Sequence, residues 1–338
     1  MILVCGLLAD TLIELMCARL NDLGYDYLLF DQLQFPGAYN LSWEIGQDGL
    51  CGSVSSPERK VDIAELTGVY ARYVNHRGGE EDERFSKHER EMISAEYQLS
   101  LMQLLDLLPC TVVNRARASV SNDSKVYQSF LAESAGLRTP RTLVTTDPDQ
   151  ARAFYEICDR RVIYKSLSSV RSVVSRVSNA DLGERMGRVA NCPTQFQEFV
   201  EGVDIRVHTV GSDVFATEIV SDASDYRYAG RDGGSLSMRA IDIPPEIAEA
   251  CVRMARTLGL VLSGIDLRRT PDHAYYCFEV NPSPGFIFYE QTTGQPISEA
   301  VAQLLRKREP QEPMSGSAGV DPVVIASGQR HAPLSFRS

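Results

Sequence analysis

The chain has no G-K-[ST] anywhere in its 338 residues, so it lacks the loop with which P-loop enzymes cradle nucleotide phosphates. No G-x-G-x-x-G follows its first predicted strand, which excludes the dinucleotide fingerprint of a dehydrogenase. The eight cysteines, at 5, 17, 51, 110, 158, 192, 251 and 277, contain no C-x-x-C pair, and the five histidines lie far apart in sequence. The cysteines therefore read as free thiols rather than as a zinc site or a disulfide framework, and the compartment as the cytoplasm. No stretch approaches the ~18–20 apolar residues of a membrane span. Positive charge is in deficit: 34 basic against 45 acidic side chains give −11, with no global attraction to nucleic acid or anionic lipid. The apolar start, residues 1–9, has no basic n-region and stops at Asp10, so it reads as a strand rather than a signal peptide. No arrangement of Ser or Cys with His and Asp suggests a nucleophilic triad.

What is present is ordinary globular composition, 43% hydrophobic and 23% charged, at a length that suggests about two domains. Residues 1–8 predict a buried strand, 11–23 a helix stopped by Gly24, and 25–30 a second strand. Residues 33–63 are rich in turn formers with short strands, 69–74 form another strand, and 78–83 a polar loop. A long helix is expected over 86–108, with Ile93, Tyr97, Leu101, Leu104 and Leu108 on one face and Pro109 ending it. A strand at 111–114 precedes a boundary near 115–122. Beyond it the pattern predicts a helix at 124–135, a strand at 142–145, a helix entered through Asp147-Pro148 and a hairpin of 161–165 with 173–177. Strands follow at 195–200, 204–210 and 214–220, then a helix at 244–258 and strands at 262–268 and 274–281. From 309 the chain is rich in Pro, Ser and Gly and reads as a loose tail, in which 320–326 could dock as an edge strand.

The strongest chemical signal lies late: Asp266 in S-G-I-D-L-R, then Glu279 and Asn281 in F-E-V-N-P-S-P-G. Side chains two apart on a strand share a face, so Glu279 and Asn281 project together while Phe278 and Val280 pack behind them. With the Asp266 strand alongside, three oxygen donors converge, the donor type that Mg²⁺ prefers. A strand with one exposed acid and an asparagine turn before proline is the plain structural alternative. Lys165 ends the apolar run V-I-Y-K, where it either snorkels to solvent or places a point charge on nucleotide phosphates. The serines at 166–169, with Arg171 and Ser172, could close over phosphates.

In Q-E-F-V, Gln197 to Val200, the carbonyl of Glu198 and the amide of Val200 could read the edge of adenine, with Phe199 beside it. Asp204 and Arg206 in D-I-R share a strand face; a carboxylate suits ribose hydroxyls and a guanidinium suits phosphate. The same tripeptide could equally be an exposed strand face with an ion pair. D-Y-R at 225–227, running to Gly233-Gly234, is either a hairpin loop or an active-site loop whose Arg227 meets developing negative charge.

The order of these motifs resembles that of the ATP-grasp superfamily, in particular its RimK-like branch of amino-acid and peptide ligases, over about residues 110–305. The first 120 residues look like the pre-ATP-grasp domain of that superfamily. Y-A-R-Y, the long helix, V-V-N and T-T-G-Q-P-I are also similar to the ligases that macrocyclise microviridin-type (graspetide) peptides. The resemblance implies an α/β, more narrowly α+β, architecture: an N-terminal domain (1–120), two α+β subdomains (121–194 and 195–308) sandwiching ATP, and a tail (309–338).

By resemblance, Lys125 and Lys165 match the nucleotide-binding lysines, Gln197, Glu198, Phe199 and Val200 the adenine segment, and Asp204 an acidic nucleotide contact. Arg206 and Arg227 match arginines near phosphates and the acyl intermediate, and Asp266, Glu279 and Asn281 the metal ligands. ATP and Mg²⁺ are the implied cofactors, as two ions with Mn²⁺ able to substitute, and a homodimer is implied. Tyr228-Ala229 and Arg231-Asp232 stand where the family pattern continues with Ser-Asn and His-Arg, so glutamate specificity does not carry over. The expected reaction joins a carboxylate and an amine, on an amino acid, peptide or natural-product intermediate, through an acyl phosphate with release of ADP. The alternatives are a ligase forming ester or amide macrocycles on a ribosomal precursor peptide, a small-molecule kinase, and a nucleotide-binding protein with reduced catalysis.

Overall fold

Strand β1 (Ile2–Gly6) is buried at every position, as its uninterrupted apolar run requires of a strand covered on both faces. The computed structural model describes residues 1–307 other than 36, 48, 74–84, 121–123, 168–173 and 222–235. The polar loop at 78–83, most of the serine-rich segment, the 225–234 loop with Arg227 and the tail from 309 lie outside these residues.

Helix α1 (Thr11–Asp22) follows β1, its first turn capped by the Asp10 carboxylate, which accepts from the Leu12 N–H at 2.9 Å. Then come β2 (Tyr27–Asp31), an antiparallel meander of β3 (Asn40–Gly46), β4 (Gly49–Ser55) and β5 (Lys60–Asp62), and β6 (Gly68–Ala71). Helix α2 (Lys87–Leu107) opens on a capping box between Ser86 and Glu89 and leads to β7 (Thr111–Val113). Strands β2-β1-β6-β7, in that order, form a parallel sheet. The turn-rich region thus became the meander, and the strand expected at 69–74 ends at Ala71.

The far end of α2 is closed by Arg115, just before the short helix α3 (Ala116–Ser119). Its buried guanidinium donates to the carbonyls of Leu105, Asp106, Leu108 and Cys110 at 2.7–3.1 Å. Four hydrogen bonds from one rigid fork thereby meet carbonyls at and just beyond the helix end, which the helix itself leaves unpaired. Arg115→Met is expected to lower unfolding free energy by about 3 kcal/mol, since several buried acceptors lose their donor at once. Denaturant melts would contradict this if the two proteins differed by less than about 1 kcal/mol.

Past this point lie α4 (Lys125–Ser134), β8 (Thr142–Thr145), α5 (Pro148–Ile157), β9 (Val162–Lys165), β10 (Ser175–Arg176), the short α6 (Glu184–Gly187) and β11 (Thr194–Glu198). The four strands make an antiparallel sheet ordered β10-β9-β11-β8. Strand β11 lies inside it, so the expected division at 194/195 cuts through this sheet and the connection to the next unit comes after Glu198.

The last unit holds β12 (Val203–Val210), β13 (Asp213–Ser221), β14 (Leu236–Ile241), α7 (Pro245–Thr257), β15 (Leu262–Arg269) and β16 (Tyr275–Asn281). Its antiparallel sheet runs β14-β13-β12-β15-β16. Helices α4 and α7 cover one face, packing Leu131, Ala132, Cys251 and Met254 on Ile205, Val207, Ile265 and Val280. Helix α4, expected with the subdomain at 121–194, therefore packs on the C-terminal sheet.

Helices α8 (Ile287–Thr293) and α9 (Ile297–Arg306) join this sheet to α1 and β1 through Phe286, Tyr289, Ile297 and Val301. The carboxylate of Glu290 accepts from Arg19 (3.2 Å) and from the Ser298 hydroxyl and N–H (2.6 and 2.7 Å). Gln295 donates to the Ala216 carbonyl and accepts from the Thr217 hydroxyl. The E-Q-T-T-G-Q-P-I motif is thus a fastening between domains.

Candidate active site

Two tripeptides of one pattern build the centre. D-I-R of β12 (204–206) and D-L-R of β15 (266–268) run antiparallel in register, so each aspartate lies opposite an arginine. Arg206 bonds Asp266 at 2.6 Å, and Arg268 bonds Asp204 at 2.6–2.8 Å. Asp204 and Arg206 thus each find a partner on the neighbouring strand. They share a face, and alternation extends that face to His208, Gly264, Glu279 and Asn281. The opposite face is the apolar one under α4 and α7, which is why the polar set points to the cleft.

Glu279 lies directly opposite Asp266 in register, and Asn281 opposite Gly264. Lys125, at the first turn of α4, places its ammonium 3.4 Å from a Glu279 oxygen. The Asn281 side-chain carbonyl accepts from the Ser283 N–H at 2.8 Å. Among the described residues no three His, Cys, Asp or Glu side chains gather into a ready metal nest. The candidate donor set is two half-exposed carboxylates and one amide oxygen.

Phe278 departs from expectation. A bulge between Asp266 and Leu267 sets Glu279 against Asp266 and Cys277 against Leu267, passing over Phe278. The extra residue re-aims the side chain, and the Phe278 ring lies against the Arg268 guanidinium, lining the cleft rather than packing behind the strand. Val280 is fully buried, as predicted.

The central sheet supplies the other wall. Lys165 is 8% exposed, and its ammonium reaches the Gln197 side-chain oxygen at 3.3 Å. Burial, and then the charge of Lys125, push it down to about 8, with Glu279 acting in the opposite sense. Lys165 therefore does not snorkel. Two guanidiniums lie near the Phe199 ring, Arg176 at 3.7 Å from its centre and Arg268 at 5.8 Å. The Phe199 N–H bonds the Arg161 carbonyl and the Val200 carbonyl accepts from Arg268, while the Val200 N–H has no partner among the described residues. Together Lys165, Gln197 and Phe199 face Asp204, Asp266, Arg268 and Glu279 across a cleft of about 190 Å³.

Arg206 is buried, and its guanidinium and Pro284 both lie against Gly264 where a Cβ would stand. His208, one alternation further, is fully buried, edge-on to Tyr289 at 4.9 Å. Burial, and then the adjacent Arg206 charge, push its imidazole well below the usual histidine range, so it is neutral near pH 7. Sequence reasoning passed over Gly264, Arg268 and His208, although the two-residue alternation that selected Asp266 and Arg206 reaches all three.

A RimK-like ATP-grasp domain matches residues 122–305. A "probable alpha-L-glutamate ligase" of Pseudomonas aeruginosa is 27% identical over 222 residues, 62% of this chain and 72% of the relative. The solved ATP-grasp ligase PsnB, in complex with its minimal precursor, Mg and ADP, is 27% identical at a TM-score of 0.75, covering 90% of this chain and 96% of that one. A RiPP-associated ATP-grasp ligase of Chryseobacterium gregarium, with ADP and a leader and core peptide, shares the fold at a TM-score of 0.77 and 22% identity, covering 92% and 97%.

Proposed function

The chain belongs to the RimK-like ATP-grasp family and is an ATP-grasp ligase; from that premise we propose that it activates a peptide carboxylate as an acyl phosphate, releases ADP and passes the acyl group to an amine. The observation that carries this is the row Arg206–Asp266–Glu279–Lys125, whose two carboxylates face the buried Lys165 across one cleft. Alternating cations and carboxylates suit a ligand that brings both phosphate anions and a divalent cation.

A substrate carboxylate oxygen attacks the γ-phosphorus, and the bond from phosphorus to the bridging oxygen breaks, so that ADP leaves. An amine nitrogen then attacks the acyl carbon, inorganic phosphate departs and the nitrogen loses a proton. The chain's residues bind, orient and neutralise rather than react covalently. Lys125 and Lys165 hold phosphate oxygens, and Phe199 with the Glu198–Val200 backbone receives the base. Asp204 faces the ribose, and Arg206 meets the transferred phosphoryl group. Asp266, Glu279 and Asn281 fit magnesium by donor chemistry, since all three offer oxygen and two are anionic. When bound, magnesium, as two ions for which manganese substitutes, supplies charge neutralisation on the phosphates. Arg227, outside the described residues, keeps its proposed place beside the acyl intermediate.

The preference for a peptide has its own support. PsnB, solved with its minimal precursor, is similar over 90% of the chain at 27% identity, a span that takes in most of the first 120 residues. Among the described residues no helix is long and apolar enough to cross a membrane.

Glu279→Gln and Asn281→Ala are each expected to lower Mg²⁺-dependent ADP release about 10²-fold or more, with little change in thermal midpoint. ATP, Mg²⁺ and pooled peptides, with hydroxylamine as acceptor, should yield ADP and a hydroxamate. AMP would point to adenylation, a stable phosphorylated product to a kinase, and binding without turnover to a nucleotide-binding protein. Unchanged turnover in both variants would remove these residues from the reaction.

A further inference from the structure

The strand that carries Glu279 and Asn281 is the outermost of its sheet, with no strand beyond it among the described residues. An edge strand offers a row of backbone groups that must find partners elsewhere. On β16 these partners are side chains and a passing loop. The Val280 N–H donates to the Gln128 side-chain oxygen at 3.0 Å, and the Gln128 side-chain nitrogen donates to the Val280 carbonyl at 2.7 Å. One buried primary amide thus pairs both backbone groups of a single residue, as a neighbouring strand would. Asn114, from the end of β7, donates to the Pro282 carbonyl at 2.5 Å and anchors the start of β15 through the Leu262 N–H and carbonyl. Between Val280 and Pro282 sits Asn281, and immediately before Val280 sits Glu279.

Gln128 is three residues after Lys125 on α4, hence one turn away on the same side of the helix. Lys125 meets the Glu279 side chain, and Gln128 meets the backbone of the next residue. We infer that Gln128 is a positioning residue: its amide locks the register of the Lys125 helix on the Glu279–Asn281 strand, and so sets where those two oxygen donors sit. Asn114 holds the exit of the same strand from the N-terminal side. The inference rests on the ligase reading above and extends it from groups that touch nucleotide and metal to a group that touches neither. A donor displaced by about 1 Å loses on the order of 10²-fold in a reaction that depends on placement.

Gln128→Met keeps the length of the side chain and removes both hydrogen bonds. In the metal-free variant, amide hydrogen exchange in a peptide covering 275–283 should quicken about tenfold or more, with β12 unchanged. By calorimetry, the gain in ADP affinity that Mg²⁺ confers should fall about tenfold, while ADP affinity without Mg²⁺ stays within about twofold. Faster exchange with the full Mg²⁺ gain retained makes Gln128 a structural prop and overturns the inference, as does unchanged exchange. Should the methionine variant fail to fold, Gln128→Glu, which keeps an acceptor for the Val280 N–H, carries the same measurements and the same expected direction. Wild-type protein whose ADP binding ignores Mg²⁺ would overturn the metal assignment itself, and this inference with it.

Discussion

Lys165→Met is expected to weaken ADP binding about 30-fold or more while leaving the nucleotide-free protein as stable as before, or slightly more stable. The unfolded chain holds this proton up to the ordinary value of 10.5, and the folded chain only to about 8. Between pH 8 and 10.5 unfolding therefore takes up a proton, and stability rises with pH across that window. Below pH 8 the cost of holding a buried ammonium is present in full, on the order of 3 kcal/mol for a shift of this size. Methionine removes that cost. It also strips the Gln197 oxygen of its donor, a loss of about 1–3 kcal/mol, so the two changes nearly cancel.

Binding has no such offset, because a phosphate ligand loses a desolvated cation aimed at it. Denaturant melts at pH 7 and near pH 10 should show any advantage of the variant shrinking as pH rises. Wild-type affinity for ADP should itself decline above about pH 8, where the ammonium of the free protein begins to lose its proton. A variant destabilised by more than about 2 kcal/mol at pH 7, or one that binds ADP normally, would show that Lys165 is part of the framework instead.

Gly264→Ala should abolish most turnover while sparing nucleotide affinity. A Cβ at 264 would lie 2.5 Å from the Arg206 Cζ and 2.7 Å from the Pro284 Cβ, closer than real Cβ contacts allow. The Arg206 guanidinium, bonded to Asp266, and Pro284 both border this slot and leave no room for the methyl. One added methyl therefore either expels the guanidinium or pushes the turn after Asn281 away from the sheet.

Loss of one preorganised charge facing a transferring phosphoryl group costs about 10²–10³-fold in turnover. Lys125 and Lys165 lie outside the slot, so ADP affinity should stay within about threefold. Arg206→Met should reproduce the same loss, and the double variant should lose little more, because both changes remove one interaction. Turnover within about threefold of wild type in Gly264→Ala would show that Arg206 does not act from that position.

Local chemistry was legible where alternation and caps carry it. The helix over 86–108, the Asp147-Pro148 entry and the strands around Asp204, Asp266 and Glu279 all stand close to where their patterns put them. A stretch of chain states its own period, and the period states which residues share a face. Phe278 shows the limit: a one-residue bulge reverses a side chain without any mark in F-E-V-N. The D-x-R tripeptides show another. D-I-R read alone is an exposed strand face with an ion pair, and only antiparallel register supplies Asp266 and Arg268 as its partners.

By itself, then, the order of residues determined the element types, the alternation that selects one polar face, and the resemblance through which ATP-grasp chemistry was reached. Tertiary structure decided which pieces belong together. It moved β11 into the central sheet, laid the Lys125 helix on the C-terminal one, and turned E-Q-T-T-G-Q-P-I into a fastening to α1 and β1. It also paired Gln128 with Val280, 152 residues apart. Periodicity reports only on neighbours along the chain. Packing partners are chosen by burial and hydrogen-bond demand among segments far apart in sequence, and no single segment records that choice.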